Sequence, residues 1–309
     1  MLEKDRQKMK KVFVDGSAGT TGLRIVSRLR ERDDLECICL PDGQRKDPAA
    51  RADAIHHADV VFLCLPDDAA REAVALAGDA DAVIIDTSTA HRVHPDWTYG
   101  FAEIGQRDAI RKSRRIANPG CHASGFIALV APLVQAGLLS ADAQISCFSL
   151  TGYSGGGKKM IAQYEAEHDA LLDAPRMYGL AQKHKHLPEM TKVCGLSTDP
   201  VFCPVVAPYY AGMQVTVPLT GFAKKDVEDV YRSRYSSGLV RFAADVQEDG
   251  FLSAGAFAGR DDMQITACGS DGRLTLVARF DNLGKGASGA AIQNMNIRLG
   301  LPEDTGLNV

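Results

Sequence analysis

The chain of 309 residues contains no apolar run long enough to cross a bilayer. The longest run, Phe126 to Val134, includes Pro132 and falls well short of the roughly 20 residues that a spanning helix needs. The opening stretch, Met1 to Lys11, is charged and polar, so no secretory signal is expected and the cytoplasm is the expected compartment. A net charge of -4 gives no broad basic field, which removes support for a nucleic-acid or membrane partner. The eight cysteines include no C-x-x-C pair, so no structural zinc site and no metal is expected. Cys37, Cys39, Cys64, Cys147, Cys203 and Cys268 stand in apolar or strand-like surroundings and read as small buried hydrophobes. Internal repeats and low-complexity tracts are also missing. What remains is an ordinary globular composition, 45% apolar and 24% charged, with length for about two domains and a small molecule as the expected ligand.

The first third alternates short apolar strands with helical patterns, as a parallel sheet covered on both faces requires. Strands are expected at Lys11 to Asp15, Leu35 to Leu40, Val60 to Leu65 and Val83 to Asp86, with a helix over Thr21 to Arg32. After Arg115 the texture changes. Asn118-Pro119-Gly120 breaks the chain, and Cys121 to Val134 has the apolar density of a buried helix. Longer strands are expected at Gln144 to Leu150, Met213 to Leu219, Met263 to Ala267 and Leu274 to Phe280, with a helix at Lys225 to Tyr235. Few helices separate them, which suggests an α+β unit with a mixed sheet. Ala287 to Leu299 is helical and is expected to return to the first unit. The fold class is therefore α/β: a Rossmann-type dinucleotide-binding domain (residues 1–117 plus 286–309) and an α+β catalytic and oligomerisation domain (residues 118–285).

Gly16-Ser17-Ala18-Gly19-Thr20-Thr21-Gly22 follows the first strand and opens a helix. There backbone amides and a helix N-terminus favour a diphosphate, and a dinucleotide is the expected occupant. Beyond the second strand come Asp42 and then Arg45 and Lys46. The two cations lean towards the 2′-phosphate of NADP, although Asp42 leaves NAD open.

Cys121 lies just past a Pro-Gly turn at a helix start, where the partial positive charge of the helix end lowers a thiol pKa. A second cluster, His184-Lys185-His186-Leu187-Pro188-Glu189, supplies imidazoles able to take a thiol proton and return it to an oxyanion. The two histidines alternate in an extended reading, so they are expected on opposite faces, one toward the thiol and one toward substrate. Thr151 to Lys158 is a glycine-rich loop whose backbone a ligand can approach closely, which makes Gly155 a candidate contact for nicotinamide or substrate phosphate.

With these pieces assembled, the sequence resembles the shorter form of the N-acetyl-gamma-glutamyl-phosphate reductases, within the aspartate-semialdehyde dehydrogenase-like group. The resemblance rests on Thr20-Thr21-Gly22, Asp86-Thr87-Ser88-Thr89-Ala90-His91-Arg92, Asn118-Pro119-Gly120-Cys121, the His184 to Glu189 cluster, and Asp281-Asn282-Leu283-Gly284-Lys285-Gly286, which runs on to Asn296. It implies NADPH-dependent reduction of N-acetyl-glutamyl 5-phosphate to the 5-semialdehyde in arginine biosynthesis, by a homodimer or homotetramer. It also implies that Cys121 is the nucleophile and that His184 and His186 are the acid/base pair. Ser88 and Asn282 would lie near the cofactor, and Arg92, Asn118, Ser124 and Lys285 near the substrate. His122 stands where the longer form has tyrosine, and is expected to face the substrate.

The expected chemistry is attack of Cys121 on an acyl phosphate, loss of phosphate, and reduction of the thioester. Rival readings are a reductase of aspartyl or aminoadipyl phosphate, a nucleotide-binding sensor without turnover, and a cysteine hydrolase using Cys121 and His184, which would leave the glycine turn without a purpose.

Overall fold

The computed structural model describes residues 9–166 and 169–309; most of the polar N-terminal stretch noted above lies outside the described residues. The chain begins with β1 (Lys10–Asp15), α1 (Thr20–Arg30), β2 (Leu35–Ile38), α2 (Pro48–His57), β3 (Val60–Leu63), α3 (Asp67–Ala77) and β4 (Val83–Asp86). It continues through β5 (Thr98–Tyr99), α4 (Arg107–Lys112) and β6 (Arg115–Ala117). These six strands pair in parallel in the order β2-β1-β3-β4-β6-β5. β3 and β4 are buried along their whole lengths, which is why they read as continuous Val, Ile and Leu runs instead of alternating.

Next come α5 (Cys121–Gln135), β7 (Ser146–Gly152), α6 (Gly157–Glu165), β8 (Arg176–Met177), α7 (Leu187–Cys194), β9 (Val201–Ala207) and β10 (Met213–Thr220). α8 (Lys224–Arg234), β11 (Val240–Phe242), β12 (Met263–Ser270), β13 (Arg273–Phe280) and α9 (Gly289–Leu299) complete the chain. The second sheet is mixed, in the order β11-β12-β13-β10-β7-β9-β8, with β7 parallel to β9 and antiparallel to β10. Met213, Val215, Val217 and Leu219 alternate inward along β10 and pack with Phe126, Ile127 and Val130 of α5 in one apolar core. α9 belongs to a different core: its Ala291, Ile292, Met295 and Ile297 join Val12, Val14, Phe62 and Ile85 of the first sheet.

The strand at Val201–Ala207 escaped the sequence reading. Pro204 interrupts its pattern, and a proline inside a sheet normally argues against strand. The cysteine expectation is corrected in part: Cys147 and Cys194 are buried, whereas Cys37, Cys39, Cys64, Cys203 and Cys268 are partly exposed. Among the described residues no helix is long and apolar enough to cross a membrane.

Candidate active site

α5 is buried from His122 to Leu133, and its first residue is Cys121. The helix starts at Gly120, whose N–H donates 3.2 Å to Oε2 of Glu189. Only glycine fits at this cap. A Cβ there would lie 2.5 Å from His186 Nε2 and 2.6 Å from Glu189 Oε1, and would collide with Arg92. Glu189, on α7, is 1% exposed; it also accepts from Tyr99 Oη at 2.7 Å and from Arg92 at 2.7 Å. Removing a carboxylate from water is unfavourable unless its oxygens are bonded, and these three donors meet that condition.

Cys121 opens onto a cavity of about 380 Å³ lined also by Thr21, Arg92, Asn118, His122, Gly155, Tyr178, His184, Lys185, His186 and Asn282. The glycine turn, the cysteine and both histidines, far apart in sequence, thus share one space. Burial pushes the Cys121 thiol above its ordinary value, while Arg92 and the backbone N–H of His122 pull the other way. The lowered thiol pKa expected from the helix start alone is therefore not what the resting protein has. Desolvation outweighs the helix end.

His184 and His186 do not point to opposite faces. The segment turns, with Leu187 N donating to His184 O at 3.0 Å, and His186 becomes the residue that caps α7. Both rings line the cavity with centroids 4.7 Å apart. Burial lowers the His184 pKa to about 4 and pushes that of His186 well below its ordinary value, with Lys185 and Arg92 contributing, so both imidazoles are neutral near pH 7. His184 Nδ1 accepts from the backbone N–H of His186 at 3.2 Å; His186 Nδ1 is buried without a partner among the described residues.

The residues expected at the substrate separate into groups. Arg92 lines the cavity, but its fork is already bonded: to Glu189, to Asn118 O at 3.0 Å and to Thr87 O at 3.0 Å. Asn118 also lines it, with its amide tied to Ala287 O and Asn294. Ser124 faces back along its helix and bonds Gly120 O at 3.0 Å, outside the cavity lining. Lys285 is 2% exposed and away from the cavity, with Nζ held by Glu103 at 2.8 Å and by Gln293 at 2.5 Å. Burial disfavours ionised Glu103, yet Lys285 and Gln293 outweigh it and hold the carboxyl below its usual range. Tyr178 was not singled out from the sequence, and Glu189, although part of the histidine cluster, was given no role, because their contacts run between distant segments. Lys185 was in view but unassigned. It is exposed, lines the cavity, and has no ion pair among the described residues.

A groove over the carboxyl ends of β1, β3 and β4 is lined by Gly19, Thr20, Thr21, Leu65, Pro66, Ser88, Gly155 and Lys185, and shares Thr21, Gly155 and Lys185 with the cavity. Such strand ends are where open parallel sheets hold ligands. In the turn before α1, Gly16 adopts φ +86°, and a Cβ there would meet Cys64 O. Ser17 is buried, Ala18 half-buried, and a Cβ on Gly22 would strike Gly16 O, so the turn lies tight against the strand ends. Thr20 Oγ1 is buried at the helix start, without a partner among the described residues. An unpartnered hydroxyl beside free helix amides fits a phosphate oxygen, so the turn fits a dinucleotide diphosphate. Ser88 is turned inward, donating to Asp86 at 2.8 Å. Asn282 bonds Ser154 and Gly212. Arg45 sits beyond β2, paired with Asp42 at 2.8 Å and largely exposed.

Two family descriptions match the chain: "Semialdehyde dehydrogenase, NAD binding domain" over residues 42–113 and "Semialdehyde dehydrogenase, dimerisation domain" over residues 121–282. A relative from Brucella anthropi named N-acetyl-gamma-glutamyl-phosphate reductase is 49% identical over 306 residues, covering 94% of this chain and 98% of its own. One of the same name from Brucella ovis is 48% identical, covering 94% and 99%. Among solved structures, aspartate semialdehyde dehydrogenase II from Vibrio cholerae superposes with a TM-score of 0.72 at 17% identity, covering 95% of this chain and 99% of its own. The Candida albicans aspartate semialdehyde dehydrogenase with NADP gives 0.67 at 15%, covering 94% and 98%. At such identities these structures establish likeness of fold alone.

Proposed function

The chain belongs to the N-acetyl-gamma-glutamyl-phosphate reductases of the semialdehyde dehydrogenase group, and from that premise we propose that Cys121 holds the acyl group of its substrate as a thioester. The activity is NADP-dependent reduction of N-acetyl-glutamyl 5-phosphate to the 5-semialdehyde in arginine biosynthesis. The observation that carries the residue assignment is the shared cavity: nucleophile, two neutral imidazoles and the end of the glycine turn line one space.

Cys121 sulfur attacks the acyl carbon, a C–S bond forms, and phosphate departs with the electron pair of the C–O bond. The neutral His184/His186 pair takes the thiol proton. His184, half-buried where His186 is buried, is the better carrier of that proton to solvent. Arg92 and the start of α5 favour the anionic sulfur against the cost of its burial. Because the Arg92 guanidinium and the Lys285 ammonium are committed elsewhere, Lys185 is the cation that receives the substrate phosphate. Residues 16 to 22 hold the dinucleotide diphosphate, Arg45 meets the 2′-phosphate, and Ser88, Gly155 and Asn282 border the nicotinamide end. When bound, the dinucleotide supplies the hydride that reduces the thioester.

In this reading residues 1–117 plus 286–309 form the cofactor domain and residues 118–285 the catalytic and oligomerisation domain. The enzyme is a cytoplasmic homo-oligomer, and the outer face of the second sheet, where Phe148 and Val201 are exposed, is the contact. The test is the reverse reaction, NADPH formation from semialdehyde and phosphate, run with N-acetyl-glutamate, aspartate and aminoadipate semialdehydes. Activity is expected with the first and is expected to vanish in Cys121→Ser; substantial turnover by that variant overturns the nucleophile assignment.

A further inference from the structure

His122 is buried, and its two ring nitrogens are each engaged by a hydroxyl: Nδ1 lies 2.7 Å from Ser149 Oγ and Nε2 lies 2.6 Å from Tyr178 Oη. Ser149 is fully buried on β7, and among the described residues its hydroxyl has no other hydrogen-bond partner. A buried hydroxyl proton needs an acceptor, and Nδ1 is the one within reach. Ser149 therefore donates to Nδ1. The ring proton must then be on Nε2, and it points at Tyr178 Oη. The opposite tautomer would have Nδ1 donate to Ser149 and leave the serine proton buried with no acceptor. A doubly protonated ring is excluded by burial, which lowers the His122 pKa to about 3.

This ordering fixes what Tyr178 can do. Its oxygen accepts from His122, and among the described residues its own O–H has no acceptor. Tyr178 lines the same cavity as Cys121. We infer that Tyr178 donates its free O–H to the acyl oxygen of the Cys121 adduct, held to that role by the buried series Ser149, His122, Tyr178. The inference rests on the thioester reading above. As the C–S bond forms, the carbonyl π pair moves onto that oxygen; when the pair returns, phosphate leaves with the C–O bonding electrons. The phenol keeps its proton throughout and stabilises the transient oxyanion by a hydrogen bond, a role its raised pKa suits. Tyr178 is then a catalytic residue, and His122 and Ser149 are positioning residues.

The experiment uses the full chain with ¹⁵N-labelled histidine, the His122 signals assigned by their loss in His122→Gln. In the wild type, Nε2 is expected to carry the proton and Nδ1 to be bare; a proton on Nδ1, or on both, overturns the inference even if no variant folds. In steady-state assays Tyr178→Phe is expected to lower kcat by about 10²-fold with KM within about threefold. Ser149→Ala is expected to lower kcat less, and to move the ring proton toward Nδ1, a signature that a merely structural role would not give. A Tyr178→Phe enzyme with unchanged kcat overturns the inference alone, provided Cys121→Ser is inactive; if Cys121→Ser turns over, the thioester reading itself has failed.

Discussion

Two buried ion pairs cross between the first sheet and the rest of the molecule, Arg92 with Glu189 and Lys285 with Glu103. They are alike in burial and charge, and the sequence offered both cations as substrate ligands. Only the first reaches the cysteine. Glu189 ties Arg92 to the N–H of Gly120 and thereby fixes the residue before the nucleophile, whereas Lys285 and Glu103 join the turn before α9 to the loop before α4, away from the cavity. Motif membership thus reports that a buried charge is needed, and geometry decides whether it is needed for chemistry or for assembly.

Replacing Lys285 by Met should produce the largest effect in the pair, a loss of about 3–5 kcal/mol in urea unfolding, because Glu103 is left buried and unpaired. KM for the acyl phosphate should be unchanged in the fraction that folds, and adding Glu103→Leu should restore part of the stability. A raised KM in the folded enzyme would collapse the distinction between the two pairs. Arg92→Lys keeps the charge but cannot make all three planar bonds; a loss of about 2 kcal/mol in kcat/KM is expected, in kcat more than KM. A purely structural role would instead show in the melting midpoint with kcat intact.

Smaller effects sharpen the contrast by probing sites outside either pair. Arg45→Ala should raise KM for NADPH about tenfold, close to 1.4 kcal/mol, with KM for NADH unchanged. Acid should also destabilise the cavity side selectively. His122 and His184 have folded pKa values of about 3 and about 4, below the 6.5 of the unfolded chain, so the unfolded state binds more protons below pH 6.5. Stability is then fully present above pH 6.5 and falls as pH drops through that window, by at most about 1.4 kcal/mol per pH unit for His122 and less for half-exposed His184. Urea midpoints at pH 7 and pH 5 test this, and His122→Gln should flatten the difference.

Much of the fold was legible because its signals are local. Continuous apolar runs gave β3 and β4, the period-2 pattern gave β10, and the glycine turn followed β1 as its composition implied. β9 was hidden by Pro204, since its strand character comes from pairing with β7. At the site, Cys121 and the histidines could be found from motif chemistry, but their pKa values could not. Helix-end reasoning is local, whereas the desolvation that reverses it comes from residues as distant in sequence as His186 and Gly286 packing around Cys121. Ser124 and Lys285 were misplaced for the same reason: spacing cannot show which way a side chain faces in a buried helix or turn.

After β6 the backbone leaves the first sheet for the second, and after β13 it comes back. These two passages run side by side, joined by the bond from Asn118 Nδ2 to Ala287 O at 3.0 Å, and the built Cβ of Gly286 would sit 3.0 Å from Cys121 Cβ. The nucleophile therefore stands where both passages between the sheets meet, and a side chain at residue 286 would press directly on it.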